Sequence, residues 1–130
     1  MKRTILLFSF LVLLGACSNS KEGINLVQIL NVFEENDIKL EEVKVTGIKC
    51  FGNKLNKVKP TIYSLNDDQL YIYIFDTSEK QEERWKDFYN STISSNLVSY
   101  KRYENENVLI FYMYGNGEPT IDIDKLLHVL

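Results

Sequence analysis

The stretch Gln69-Leu70-Tyr71-Ile72-Tyr73-Ile74-Phe75 decides the fold, because its aliphatic and aromatic residues alternate with a strict period of two. Successive side chains of a strand point to opposite faces of the sheet. The pattern therefore places Ile72 and Ile74 on one face and the three aromatic residues on the other. A strand that is apolar on both faces is central in its sheet, so we predict that neighbouring segments pair with it and cover it.

Two β-hairpins are predicted around this strand. Thr61–Leu65 precedes it across the turn-forming sequence Asn66-Asp67-Asp68. Farther along the chain, segments 97–103 and 107–114 flank Glu104-Asn105-Glu106 and form the second pair. A one-residue slip in register exchanges the faces of a strand, so the sequence leaves open whether Tyr63 and Leu65 share a face with Tyr71 or Tyr73.

Helices are predicted over three segments. Apolar residues at helical spacing between Leu26 and Phe33 predict the first helix, which should end near Asn36 or Asp37. Ser78 opens a second helix with a capping-box pattern, and this helix carries Trp85, the only tryptophan of the chain. Asp122 is placed to cap a last helix whose apolar stripe consists of Ile123, Leu126, Leu127 and Leu130.

Together these elements predict an α+β fold, a mostly antiparallel sheet of four to five strands with two to three helices packed on it. Segment 41–46 alternates charged residues and valine, which is typical of a half-exposed strand at a sheet edge. The composition, 45% hydrophobic and 25% charged, fits a single globular domain over residues 24–130.

The N-terminus carries a separate signal. Lys2 and Arg3 precede an apolar run over residues 5–14 that only Ser9 interrupts. Ten helical residues reach about 15 Å, roughly half of the hydrocarbon thickness of a bilayer. We therefore predict the core of a signal peptide and not a membrane-spanning helix.

The end of this segment, Leu14-Gly15-Ala16-Cys17, resembles the lipobox of bacterial lipoproteins. The resemblance implies that residues 1–16 are a signal peptide cut before Cys17, that the Cys17 sulfur carries a diacylglyceryl group, and that the new N-terminus is open to acylation. Residues 17–23 then form the lipidated cysteine and a flexible tether. Segments 51–56 and 107–112 add a looser likeness to small lipoproteins of Gram-positive bacteria. That likeness implies a location, the extracytoplasmic face of the cell membrane, and no activity.

Charge restricts the partners. Removal of residues 1–16 takes away two of the 15 basic side chains and none of the 18 acidic ones, which leaves a net charge of −5. An acidic domain is repelled by anionic headgroups, so membrane attachment must come from the lipid on Cys17. The same balance argues against nucleic acid as a partner.

Histidine and cysteine, which serve as nucleophiles, metal ligands or general bases, are rare in the chain. The chain has one histidine, His128, and two cysteines, of which only Cys50 remains a thiol once Cys17 is modified. No segment shows the spacing of a metal site, so we expect neither a metal nor another cofactor. We predict that the protein is not an enzyme. An envelope hydrolase that uses two carboxylates distant in sequence but close in space is the remaining catalytic alternative.

Tyrosine is the unusual residue, with eight in the chain. Tyr71, Tyr73, Tyr112 and Tyr114 recur at strand spacing, which suits one sheet face. Tyrosine offers rigid, amphipathic contact area, so an open face would be a binding surface. The alternative is that this face lies under the helices, with the hydroxyl groups at its rim.

Three functional hypotheses follow. The first is a membrane-anchored, non-catalytic binding or adaptor module that contacts a protein or peptide of the cell envelope. The second is an accessory or immunity-type lipoprotein that occupies an integral membrane partner. The third is the envelope hydrolase.

Overall fold

Five antiparallel strands form one sheet, with two helices against one of its faces, in the part of the chain that the structure describes. The computed structural model describes residues 22–44, 55, 57–77, 99–115 and 117–130. The strands are β1 (Glu41–Glu42), β2 (Thr61–Leu65), β3 (Asp68–Ile74), β4 (Tyr100–Asn105) and β5 (Val108–Met113), and the helices are α1 (Leu26–Glu35) and α2 (Ile123–Leu127). The sheet order is β1-β2-β3-β5-β4. The α+β prediction is confirmed.

Strand β3 is the central strand, as its two-faced pattern predicts. It pairs with β2 on one side and with β5 on the other. Ile72 contributes to the core between the sheet and the helices, a side we call the helix face. Tyr71 and Tyr73 contribute to a second core on the opposite side, which we call the aromatic face. All three side chains are almost completely buried.

The pairing register settles the faces that the sequence left open. Tyr63 of β2 lies opposite Leu70, so Tyr63 and Leu65 belong to the helix face and not to the side of Tyr71. Strand β5 repeats the alternation of β3, since Leu109 and Phe111 lie on the aromatic face and Ile110 on the helix face. The two paired strands at the centre of the sheet, β3 and β5, are therefore apolar on both sides.

Helix α1 begins and ends with recognisable local signals. Its N-cap Asn25 accepts a hydrogen bond from the Gln28 amide at 3.0 Å, and the Gln28 side chain accepts one from the Asn25 amide at 2.8 Å. This reciprocal pair is a capping box. The helix buries Ile29, Val32 and Phe33 against the sheet.

The C-terminal helix α2 is short and fastened to the sheet. Asp122 caps it by accepting a hydrogen bond from the Lys125 amide, and Ile123 and Leu127 are buried. The Tyr103 hydroxyl of β4 donates to the Leu127 carbonyl at 3.2 Å. The predicted cap is confirmed, but the helix ends at Leu127, so that Leu130 of the predicted apolar stripe lies beyond it.

Several predicted features lie outside the described residues. These are the signal peptide, Cys17, Cys50 and the helix that opens at Ser78 and carries Trp85. Within the described ranges, no helix combines the length and the apolar character that a membrane crossing requires.

Asn107, in the turn between β4 and β5, fixes the start of the described domain. Its buried side chain accepts a hydrogen bond from the Ile24 amide at 2.8 Å and donates to the carbonyls of Ile24 at 2.9 Å and of Phe75 at 3.0 Å. The Asn107 carbonyl also accepts from the Phe75 amide at 2.8 Å. We call this arrangement the Asn107 clamp, and it joins three segments that are far apart in sequence.

Gly23 makes the clamp sterically possible. A Cβ atom at Gly23 would lie 2.7 Å from the Asn107 Oδ1 atom, closer than van der Waals contact permits. The Asn107 side chain cannot yield easily, because three hydrogen bonds hold it. A glycine is therefore required where the N-terminal segment joins the folded domain.

A double-mutant cycle tests the clamp. We expect Asn107→Ala to lower the free energy of unfolding by about 2 to 4 kcal/mol, because it leaves buried backbone groups of Ile24 and Phe75 without partners. Gly23→Ala should cost about 1 to 3 kcal/mol through the clash, and much less in the Asn107→Ala background. Urea denaturation measures all four free energies.

Gly115→Ala is the matched control, since a Cβ atom there meets nothing within 4 Å. Its effect should stay within about 0.5 kcal/mol. Purely additive effects of Gly23→Ala and Asn107→Ala would contradict the clamp.

Candidate functional site

The four tyrosines singled out from the sequence do not share a face. Tyr71 and Tyr73 lie on the aromatic face, whereas Tyr112 and Tyr114 lie on the helix face. The reason is the register, which pairs Tyr112 with Leu70 and not with Tyr71. Tyr71, Tyr73 and Tyr112 each have a relative exposure of 0%. The prediction that these residues line one binding face is wrong.

On the aromatic face, the tyrosines serve as core side chains. The Tyr73 ring stacks on Phe75 at a centroid distance of 6.4 Å and meets the Phe111 ring edge-on at 6.0 Å. Tyr100 of β4 contacts the other side of the cluster, 5.8 Å from the Phe111 centroid. Such ring pairs stabilise a core beyond the area that they bury.

Asp68 is the buried carboxylate among the described residues. Its Oδ2 atom accepts hydrogen bonds from the Tyr112 hydroxyl at 2.5 Å and from the Thr120 hydroxyl at 3.1 Å, and its Oδ1 atom accepts from the Gly115 amide at 3.2 Å. Burial, and secondarily the bond to Asp68, raises the pKa of Tyr112. The Asp68 cluster ties the start of β3 to the chain that follows β5.

The hydrogen bonds of Asp68 account for its burial. Both carboxylate oxygens are engaged, and a buried charge requires such partners to be tolerated. Among the described residues, the hydrogen-bond partners of Asp68 are Tyr112, Gly115 and Thr120, and none of these is a second carboxylate.

The other described residues suited to catalysis or metal binding are not clustered. His128 is exposed at the end of α2, and its Nδ1 atom contacts the Lys125 carbonyl. Over the described ranges, no group of three or more His, Cys, Asp or Glu residues is placed to hold a metal ion.

The surface feature with the geometry of a binding site is a groove between α1 and the β1 edge of the sheet. Its volume is about 440 Å³, and we call it the α1–β1 groove. Apolar side chains and the Tyr63 ring form its floor, while three charged residues stand at its rim. Its lining residues are Leu30, Phe33, Glu34, Asp37, Ile38, Lys39, Leu40 and Tyr63.

The groove exists because of how α1 ends. Asp37 has a φ of 58°, a left-handed conformation that aspartate adopts more readily than most residues. The Ile38 amide donates to the Phe33 carbonyl at 2.9 Å and the Asp37 amide to the Glu34 carbonyl at 3.0 Å, which is a Schellman motif. The chain is thereby turned back toward β1, and residues 38–40 form one wall of the groove.

The rim of the groove is acidic. Glu34 and Asp37 are exposed there, and Glu42 lies opposite Tyr63 in the sheet. Lys39 is the cation of the rim, and its Nζ atom already pairs with Glu41 at 3.1 Å. Burial, and secondarily the negative charge of Glu42, raises the pKa of the Tyr63 hydroxyl.

A second depression, about 370 Å³ in volume, lies between α1 and α2. Its walls include Asn36, Asp122, Lys125 and His128. Charges of both signs border it, as they border the α1–β1 groove, but the groove has in addition the buried rings of Phe33 and Tyr63 at its base. The α1–β1 groove, with its apolar floor and acidic rim, is the better-defined candidate site.

Sequence reasoning predicted the end of α1 but not the groove. The available signal is the sequence Asn36-Asp37-Ile38. Asn and Asp tolerate left-handed backbone, and such a residue followed by an apolar one is typical of a helix C-terminus at which the chain reverses direction.

Comparisons with protein-family models, with curated proteins and with solved structures gave no match.

The electrostatics of the groove can be tested by titrating Tyr63. Tyrosinate absorbance of the protein minus that of Tyr63→Phe isolates this hydroxyl, and we expect its midpoint above 10.0, the ordinary tyrosine value. Glu42→Gln should lower the midpoint, because it removes a negative charge that opposes ionisation. The midpoint should stay above 10.0, because burial is the larger cause.

Glu22→Gln serves as the control, since Glu22 is exposed at the opposite end of α1. It should leave the Tyr63 midpoint unchanged. A Tyr63 midpoint at or below 10.0 in the unaltered protein would contradict the described burial and charge.

Proposed function

We propose that this protein is a lipoprotein, anchored through Cys17 to the extracytoplasmic face of the cell membrane, that works there as a non-catalytic binding or adaptor module. The observation that carries the proposal is the position of the Asn107 clamp. The clamp holds Ile24, so that the folded domain begins only seven residues after Cys17. The lipobox-like sequence and the start of the domain are thus almost adjacent.

This short connection constrains how the domain meets the membrane. The six residues between Cys17 and Ile24 span about 20 Å when fully extended. Ile24 is attached at the end of the sheet where β3 ends and β5 begins, which we call the proximal end. The turn at Asn66 and Asp67, between β2 and β3, lies at the opposite, distal end.

Charge and lipid act in opposite directions on this arrangement. The mature chain has a net charge of −5, so anionic headgroups repel the domain. Each buried CH₂ group of an acyl chain contributes about 0.8 kcal/mol, and two chains give long-lived attachment where one does not. Cys17 is then the attachment point, and the domain surface stays available for a partner.

The groove supports a binding role. Apolar side chains cover its floor and exposed carboxylates stand at its rim, an arrangement suited to recognising a partner segment. Asp68 and Asn107, the buried polar residues of the described chain, are both engaged in holding segments together. The polar interior therefore supports the fold, and the surface is left for recognition.

The short tether also favours a second candidate, an accessory or immunity-type lipoprotein that occupies an integral membrane partner. Within about 20 Å of its anchor, the domain reaches the extracytoplasmic loops of a neighbouring membrane protein. In-cell crosslinking followed by partner identification separates the candidates. An integral membrane protein supports this second role, and a peripheral envelope protein supports the adaptor role.

Replacement of Cys17 tests the anchor. Protein purified from its native host should have Cys17 as its first residue, with an intact mass increased by a diacylglyceryl group. The Cys17→Ala variant should lack this added mass, because no sulfur remains to be acylated. It should either move from the membrane fraction to the soluble fraction or keep its signal peptide uncut. Cell fractionation and mass spectrometry provide the readouts.

Cys50→Ala is the matched control, since it removes the other cysteine of the chain. It should remain membrane-bound and carry the lipid. An unmodified Cys17, or an uncut leader in the unaltered protein, would refute the anchor.

A further inference from the structure

We infer that the α1–β1 groove binds an extended, basic peptide segment of a partner protein, with an apolar side chain of that segment inserted into the groove. The inference deepens the proposed binding role by naming its site and the chemistry of its partner. It rests on three observations: the apolar floor, the acidic rim and the adjoining sheet edge.

The floor of the groove accepts an apolar anchor. Phe33 and Tyr63 are buried at its base, and Leu30, Ile38 and Leu40 are partly buried around it. A volume of about 440 Å³ holds one or two large side chains. An apolar side chain that fills it would remove partly exposed apolar surface from water at about 25 cal/mol per Å².

The rim selects for positive charge. Glu34 and Asp37 line the groove, and Glu42 lies opposite the lining residue Tyr63. Lys39, which also lines the groove, pairs with Glu41 at 3.1 Å. A lysine or arginine beside the apolar anchor would meet these carboxylates, whereas an acidic segment would be repelled. Complementary charge of this kind contributes mainly to specificity and to the rate of association.

The edge of the sheet favours an extended backbone in the partner. The Val43 amide donates inward to the Ile62 carbonyl at 2.8 Å. Because backbone groups alternate in direction along an antiparallel strand, the amide of Glu42 points away from β2. No strand lies beyond β1 among the residues that the structure describes. A peptide strand added here would place alternate side chains over the groove.

The groove also lies far from the tether. The N-terminal end of α1 is fixed by the Asn107 clamp, and the groove adjoins the other end of the helix at Glu34 and Asp37. Ten helical residues separate these ends by about 15 Å. The groove therefore lies at the end of α1 away from the point where the anchored segment joins the domain.

Charge also decides between possible occupants. A second copy of this chain would bring its own net charge of −5 against an acidic rim, which is unfavourable. The tether, residues 18–23, joins the domain at the opposite end of α1. A basic segment of another protein remains the occupant that fits both the charge and the position of the groove.

The probe is a fluorescein-labelled peptide of nine residues in which lysine alternates with valine around a central phenylalanine. Mature, lipidated protein in phosphatidylcholine nanodiscs is titrated against it at physiological ionic strength, and fluorescence anisotropy reports binding. We expect Glu34→Gln/Asp37→Asn to weaken binding about fivefold, as the loss of two partly exposed charge pairs implies. Asparagine at position 37 preserves tolerance of the left-handed backbone.

Asp67→Asn/Glu118→Gln is the matched control, because it removes two exposed carboxylates outside the groove. It should change the dissociation constant less than twofold. A peptide with glutamate in place of lysine should not bind, and N-methylation of alternate peptide amides should abolish binding, because it removes the donors to the β1 edge. Circular dichroism confirms that each variant is folded.

Three results would overturn the inference: no binding of the basic peptide, equal weakening by the groove variant and its control, or equal binding of the N-methylated peptide. Cys17→Ala protein in detergent should bind the peptide as the lipidated form does. Peptide binding at the groove is therefore measured independently of lipidation at Cys17, and a negative result for one does not decide the other.

Discussion

The constraint on which the structure depends is that β3 is apolar on both faces, so neither side of it can be left in water. Ile72 requires cover on one side, and Tyr71 and Tyr73 require it on the other. In the described chain, β2 and β5 satisfy its backbone hydrogen bonds while α1 and α2 close the helix face. Burial of this strand thus accounts for its central place in the sheet and for the cover that the helix face receives.

Two buried polar side chains hold the ends of this apolar framework together. At the proximal end, Asn107 joins Ile24 and Phe75, and at the distal end Asp68 joins Tyr112 and Thr120. A buried polar group that lacks partners is costly, so each cluster permits only one arrangement of the segments that it joins. The proximal cluster fixes where the chain leaves the domain, which in the proposed lipoprotein is toward the membrane.

Much of the fold follows from the sequence, because period-two and helical spacing act locally. The alternation from Gln69 to Phe75, the cap at Asp122 and the end of α1 were all predictable. Register was not, since it depends on which residues meet across a hairpin, and it separates Tyr112 from Tyr71. The groove was not predicted either, because it arises from the left-handed backbone of Asp37 and the turn that follows it. Local pattern therefore identifies elements, whereas sites depend on how those elements meet.

The most direct test of the account is the orientation of the domain on the membrane. A fluorophore on Asp76→Cys would mark the proximal end and one on Asp67→Cys the distal end, each in a Cys50→Ser background. The seven residues of β3 separate these ends by about 23 Å. With lipidated protein on vesicles that contain an acceptor lipid dye, we predict clearly higher energy transfer from position 76 than from position 67. Equal or reversed efficiencies would contradict the account.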